Sequence, residues 1–236
     1  MPQTTDINKL KIIALTLLDE SIELTEFSPA IVHHPFTTSG IVSFKEDGKL
    51  ILCDIIADKA AQERWRDEMR RHITDAKDVN TLLYLLQPQY GVLFLKLAEP
   101  FVSASDLGEA LAMAWTSQEN PNSDTNVQKD EIVSLFEKAN KRTLMDSDER
   151  RVYNELPDVV EVYRGVTSYN KRNIRALSWT LDYGVAEWFS TRFDESGSVY
   201  RATVAKEHVF AVFLGRDEKE VIVDPRYLEN VKKASR

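Results

Sequence analysis

The chain has 236 residues, 43% hydrophobic and 29% charged, with 30 Lys and Arg against 38 Asp and Glu for a net charge of −8. That length and apolar content can bury a core without disulfide or metal staples, which excludes a disordered chain. The net acidity excludes general nucleic-acid binding, whose affinity comes mainly from neutralised phosphates. The charge is uneven. Residues 151–236 hold 14 Lys and Arg and 13 Asp and Glu, net +1, which leaves 16 against 25, net −9, for residues 1–150. Within the neutral part, Lys171, Arg172 and Arg175 read as a solvated loop. The lone cysteine, Cys53, has no internal partner and fits a reducing compartment. The apolar run at 12–18 is too short for a membrane span and lacks a cleavage site, so a cytoplasmic protein with no membrane partner is expected.

In chain order, residues 7–24 set Leu10, Ile13, Leu17 and Leu18 at helical spacing and predict an N-terminal helix. His33 and His34 follow in a stretch read as loop, with no further ligands nearby to make a metal site. Residues 41–56 read as a β-hairpin turning at Asp47-Gly48, with Cys53 a small buried filler in its second strand. Residues 57–76 form a charged helix whose Trp65, Met69 and Ile73 recur every fourth residue and point inward. Residues 82–97 are apolar and ambiguous, broken at 87–91, and 105–115 read as helix. Residues 118–126 are polar and without period, the clearest loop in the chain. That loop is the expected seam between a mainly helical α+β region, 1–120, and a second domain, 121–236.

Beyond the seam, helices are expected at 129–141 and 146–156, the second closed by Pro157. The texture then changes to β-branched and aromatic runs at 159–166, 198–204, 209–214 and 220–223, with one helix at 182–193. The expected fold class is α+β, with a compact mixed sheet in the C-terminal third.

The polar groups that stand out lie in that sheet: Tyr163-Arg164-Gly165 at a strand end, Ser178-Trp179-Thr180 before a helix, and Glu218-Lys219-Glu220 opening a strand. Singly they read as a surface ion pair, a helix cap and an exposed strand edge. In this order, with Val221-Ile222-Val223-Asp224 following, the chain over residues 140–227 resembles the arginine-serine-glutamate class of ADP-ribosyltransferases. That class includes the C2-like and C3-like toxins, vertebrate ecto-transferases and phage-encoded enzymes. The resemblance implies a split sheet core, NAD as substrate, and a bacterial or phage toxin or effector. Its N-terminal region is then expected to hold the target or a partner such as an antitoxin or host protein.

Chemistry supports the same assignment. Expelling nicotinamide from NAD leaves an oxocarbenium-like ribose, so a carboxylate beside that sugar stabilises charge present only in the transition state. Glu220 is the candidate. Arg164 offers the forked, planar donors that suit a diphosphate, and Gly165 lets backbone approach the ligand. The resemblance implies that Ser178 orients the glutamate and the dinucleotide, and that Thr180 keeps the third hydroxyl of a motif usually reading Ser-Thr-Ser, from which Trp179 departs. It also implies that Phe189 stacks on nicotinamide; the alternative is that Trp188 and Phe189 pack the helix to the sheet. Residues 194–198, with Gly197, stand where the class has a segment folding over the nucleotide. Glu218 is expected on the face of Glu220 by strand alternation. By resemblance it holds or deprotonates an arginine or another nitrogen nucleophile of a protein or nucleic acid. NAD hydrolysis would use the same residues, and an inactive interaction module is the third reading.

Overall fold

Helix α1 (Ile7–Leu18) begins where the Asp6 carboxylate accepts from the amides of Asn8 and Lys9, donors that no earlier turn satisfies. The computed structural model describes residues 1–192 and 196–234. They form two units, Met1–Glu119 and Asn120–Arg236. Helices and antiparallel sheets occur together, which makes the fold α+β.

In the first unit α1 stops at Leu18 rather than running to Leu24, because Leu24 belongs to a strand. β1 (Glu23–Leu24), β2 (Ile31–His34) and β3 (Thr37–Ser39) form an antiparallel sheet in that order. His33 and His34 therefore lie on a strand, not in a loop. Val32 and His34 point inward while Ile31 and His33 point out. A histidine fills one of the buried positions, so the alternation escapes a count of apolar residues.

His34 is 1% exposed and meets the Trp65 ring edge-on at 5.2 Å. Its Nδ1 accepts from the Phe36 amide at 3.1 Å and its Nε2–H donates to the Leu18 carbonyl at 3.3 Å, an arrangement that suits the neutral ring. Burial, reinforced by Arg66, lowers its pKa from 6.5 to about 4. The unfolded chain therefore takes up the proton first as pH falls. Stability from this group is complete above pH 6.5 and declines towards pH 4, by roughly 3 kcal/mol for a shift of this size. Denaturant unfolding at pH 7 and pH 4.5 is expected to show this loss in the wild type, with a much smaller loss in His34→Gln. Equal losses in both would assign the acid sensitivity to other groups.

β4 (Ile41–Glu46) and β5 (Lys49–Asp54) form the expected hairpin, paired from Ile41↔Asp54 to Glu46↔Lys49. Asp47 and Gly48 both have positive φ, 48° and 79°, as a two-residue turn of this hand requires. Cys53 is half-exposed rather than buried, because the two-stranded sheet leaves much of its surface open; Leu50 and Leu52 are 74% and 72% exposed. α2 (Lys59–Asp75) buries Trp65 and Ile73, with Met69 half-buried between them. The ambiguous apolar stretch is helical: α3 (Val79–Leu85) and α4 (Gly91–Ala98) flank Pro88, and α5 (Ala104–Ser117) follows, capped by Ser103.

The second unit carries α6 (Lys129–Lys138), α7 (Lys141–Leu144) and α8 (Ser147–Glu155) ahead of its sheet. The strands are β6 (Val159–Val166), β7 (Ser178–Thr180), β8 (Ser198–Ala205), β9 (Val209–Phe213), β10 (Glu220–Val223) and β11 (Glu229–Lys233), in the order β11-β8-β6-β7-β10-β9. Among the described residues every neighbouring pair is antiparallel, so the expectation of a mixed sheet is corrected. β7 and β8 do run parallel, joined by α9 (Tyr183–Thr191), but β6 lies between them and is antiparallel to both. The strand-helix-strand pattern was real, and the inserted strand abolished the parallel contact.

Val160, Val162, Trp179, Val221 and Val223 form the core with Ala202 and Val204, and Val152 and Tyr153 of α8, with Leu156 just after it, pack against it. The edge strand β9 is fully buried. Lys141 Nζ donates to the Val209 carbonyl at 2.8 Å, and the amides of Val212 and Leu214 donate to Met145 Sδ and Glu149. Side chains thus occupy three of the groups an edge would offer another strand.

Candidate functional site

The sheet parts near its centre. β6 pairs with β8 along its whole length, from Val159↔Ala205 to Val166↔Ser198, yet among the described residues it meets β7 at one pair, Tyr163↔Thr180. On the other side of β7, the Val223 amide donates to Leu177 O at 2.9 Å and the Leu181 amide to Lys219 O at 3.2 Å. Antiparallel pairing alternates, so the N–H and C=O of Ser178 point away from β10, towards β6. β6 has drawn off at that point, and side chains take its place. Asn122 Oδ1 accepts from the amides of Leu177 and Ser178, at 3.0 and 3.1 Å. Arg164 donates to the Ser178 carbonyl at 2.5 Å.

Arg164 is electrostatically exceptional. Burial draws its pKa down to about 10, against a pull upward from Glu220, whose carboxylate therefore lies within Coulombic reach. Its Nε is buried with no hydrogen-bond partner among the described residues. Lys129, opening α6, donates to Asn173 Oδ1 at 2.7 Å and to the Arg175 carbonyl at 2.8 Å. Burial lowers its pKa, and Arg164 lowers it further. Arg164 with its spare buried donor, and the exposed Lys129 whose charge it disfavours, make a place suited to an anion.

The register sets Thr180 opposite Glu220 and Ser178 opposite Ile222, so Ser178, Thr180 and Glu220 share one face of the sheet. Trp179 and Val221 take the other face, in the core, where the indole N–H donates to Ala176 O at 2.9 Å. The tryptophan in Ser-Trp-Thr is thus a packing residue and leaves the hydroxyl face intact. Compared with protein-family models, curated proteins and solved structures, the chain matches none.

The other expected residues fall less simply. Glu218 is not on the strand: its φ and ψ are −81° and −15°, and Lys219 after it has φ 44°, so the strand opens at Glu220. Alternation does not apply to Glu218, and the expectation that it shares Glu220's face by that rule is corrected. Thr180 is buried. Its hydroxyl donates to the Glu218 carbonyl at 2.7 Å and accepts from the Asp182 amide at 3.1 Å, so it ties the turn before Glu220 to the start of α9 rather than reaching out to a ligand. Gly165 makes a close approach, but to α9: a Cβ there would sit 2.5 Å from Ala186 O and 2.6 Å from Ser190 N. The space expected for ligand is taken by the helix that crosses β6.

Phe189 is half-buried and edge-on to Trp188, with ring centroids 4.9 Å apart. Trp188 is 60% exposed, which removes the alternative that both rings pack the helix to the sheet. The Arg192 guanidinium lies 5.2 Å from the Phe189 centroid and 5.9 Å from that of Trp188. Of the segment 194–198, residues 194 and 195 lie outside the described residues, as does Phe193 in the expected helix. The Gly197 amide donates to Ser190 O at 3.0 Å.

Sequence reasoning missed Asn122 and Lys129. Nothing distinguishes Asn122 from Asn120 or Asn126 in the same polar run, and Lys129 reads as an ordinary first-turn residue. In the first unit, a cleft of about 600 Å³ is lined by Thr5, Lys77, Asp78, Asn80, Ser103, Asp106 and Glu109 among others. Its carboxylates are engaged locally, Asp78 by Thr81, Asp106 by Thr5 and Glu109 by Asn80, so they serve caps and tethers rather than a common target. Among the described residues no helix is long and apolar enough to cross a membrane.

Proposed function

We propose that the Asn120–Arg236 unit is an NAD-dependent mono-ADP-ribosyltransferase that passes ADP-ribose to a nitrogen nucleophile on a protein or nucleic acid. The reading rests on one observation above the rest. Arg164 donates to the Ser178 carbonyl at the opening between β6 and β7, and Glu220, across β7 on the face of Ser178 and Thr180, supports the charge of that arginine against its burial. A sheet that parts at its centre is also what the split-sheet ADP-ribosyltransferase fold would supply.

In this reading the NAD diphosphate accepts from Arg164, including its unpartnered Nε, with Lys129 as a second cation. Glu220 stands by the nicotinamide ribose, and Ser178 borders it on the same face. Phe189 stacks against nicotinamide. The ribosyl C1′–N bond breaks with its electron pair leaving on nicotinamide, which neutralises that ring, and Glu220 stabilises the cationic sugar. The acceptor nitrogen bonds to C1′ and gives its proton to a base, for which Glu218 is the candidate. The proposed setting is a cytoplasmic toxin or phage effector, with Met1–Glu119 binding the target, an antitoxin or a host partner.

Incubation with adenylate-labelled NAD and cell extract is expected to transfer label to a macromolecule, and nuclease and protease digestion then identify its class. Free ADP-ribose with no labelled macromolecule would make the chain an NAD hydrolase. If no extract supports NAD consumption, the enzyme reading fails and an interaction module remains.

A further inference from the structure

Asn122 stands where a strand would otherwise be. Two amides, of Leu177 and Ser178, face one atom of its side chain, which fixes that atom as the carbonyl oxygen. In an unbroken sheet an acceptor on β6 would serve the Ser178 amide, but β6 leaves β7 after Tyr163↔Thr180. Asn122 is itself held. Its backbone carbonyl accepts from Asn173 Nδ2 at 2.9 Å, and Asn173 Oδ1 accepts from Lys129 at 2.7 Å.

We propose that Asn122 is a positioning residue that keeps the sheet open at the Arg164–Ser178 gap and, through the Ser178 backbone, aims the Arg164 guanidinium. The proposal rests on the reading of this gap as the NAD site. Without the Asn122 oxygen, two amides beside the buried Leu177 lose their acceptor, a costly state in a low-dielectric interior. The backbone relieves it by shifting or by closing towards β6. Either movement carries the Ser178 carbonyl with its amide, and Arg164 follows because it is bonded to that carbonyl. The loop at 118–126 is therefore a clasp on the site as well as a seam.

The full chain carrying Asn122→Leu, which keeps volume and removes the acceptor, is compared with Asn122→Asp, which keeps an acceptor. Nicotinamide release from NAD gives kcat and KM, and the Arg164 Nε–H resonance in a 15N NMR spectrum reports the guanidinium directly. Because a displacement of about 1 Å at a reacting site can cost up to ~100-fold, kcat of the leucine variant is expected to fall at least about tenfold, with the aspartate variant within about threefold of wild type. The resonance is expected to shift in the leucine variant, where no new charge is introduced and only a displacement of the guanidinium can move it. Asn122→Ser, whose hydroxyl falls short of the amides, serves if leucine does not fold. Equal kcat in the leucine and aspartate variants, or an unmoved Arg164 resonance in the leucine variant, overturns the proposal. If the wild type releases no nicotinamide, the NAD reading fails by itself, and the resonance alone decides the positioning role.

Discussion

Glu220→Gln is expected to fold like the wild type and to lose NAD turnover by about 100- to 1,000-fold, the equivalent of roughly 3–4 kcal/mol of transition-state stabilisation. Glutamine keeps the shape and the strand pairing of Glu220 with Thr180 and Phe213, and the valine and tryptophan core on the opposite face is untouched. What disappears is a negative charge. Glu220 is the group that raises the Arg164 pKa against its burial, so the variant leaves that guanidinium less supported in the free protein. A bound diphosphate would supply compensating negative charge to Arg164, and KM for NAD is therefore expected to stay within about threefold while kcat falls, the signature of an interaction made in the transition state. Single-turnover nicotinamide release separates the two constants. A fall in kcat of less than about tenfold would move the role away from this carboxylate.

The strands that carry the candidate site were legible because their residues are β-branched and buried: β10 begins at Glu220 and ends at Val223 as the sequence pattern indicates. The arrangement around them was not. Whether Trp179 damages or spares the hydroxyl face depends on which way β7 is turned, and that follows from its register with β10. Glu218 looked like a strand residue because Glu-Lys-Glu precedes an apolar run, yet the left-handed Lys219 ends the alternation there. β11 was invisible for a different reason. Its Glu229, Asn230, Lys232 and Lys233 face solvent as a charged edge that discourages further pairing, which leaves little apolar signal. The gap itself is a statement about missing hydrogen bonds between β6 and β7. No local pattern reports where two distant strands stop pairing, and so the residue that fills the place, Asn122, was read as part of a loop.

Gly165→Ala is expected to destabilise the Asn120–Arg236 unit strongly, although it adds only a methyl group. The added carbon would lie 2.5 Å from Ala186 O, 2.6 Å from Ser190 N and 2.7 Å from Phe189 Cβ. Two of these neighbours are helix backbone, so no rotamer change relieves the overlap and α9 has to move away from β6. Overpacking of this kind typically costs about 1–3 kcal/mol, and a domain near this size loses roughly 4–8 °C of thermal midpoint per kcal/mol. Gly215→Ala is the matched control, since a Cβ there meets nothing within 4 Å, and its effect is expected to stay within about 0.5 kcal/mol. Displacement of α9 also reaches the chemistry. The helix is capped by Asp182, whose carboxylate pairs with Lys219 at 3.0 Å and whose amide bonds to Thr180, so a shift of its first turn disturbs the turn that leads into Glu220. Calorimetry with NAD turnover on the same samples distinguishes the two reasons for a glycine at this position. A lower midpoint together with lower kcat fits the helix crossing; an unchanged midpoint with raised KM alone would return Gly165 to the ligand.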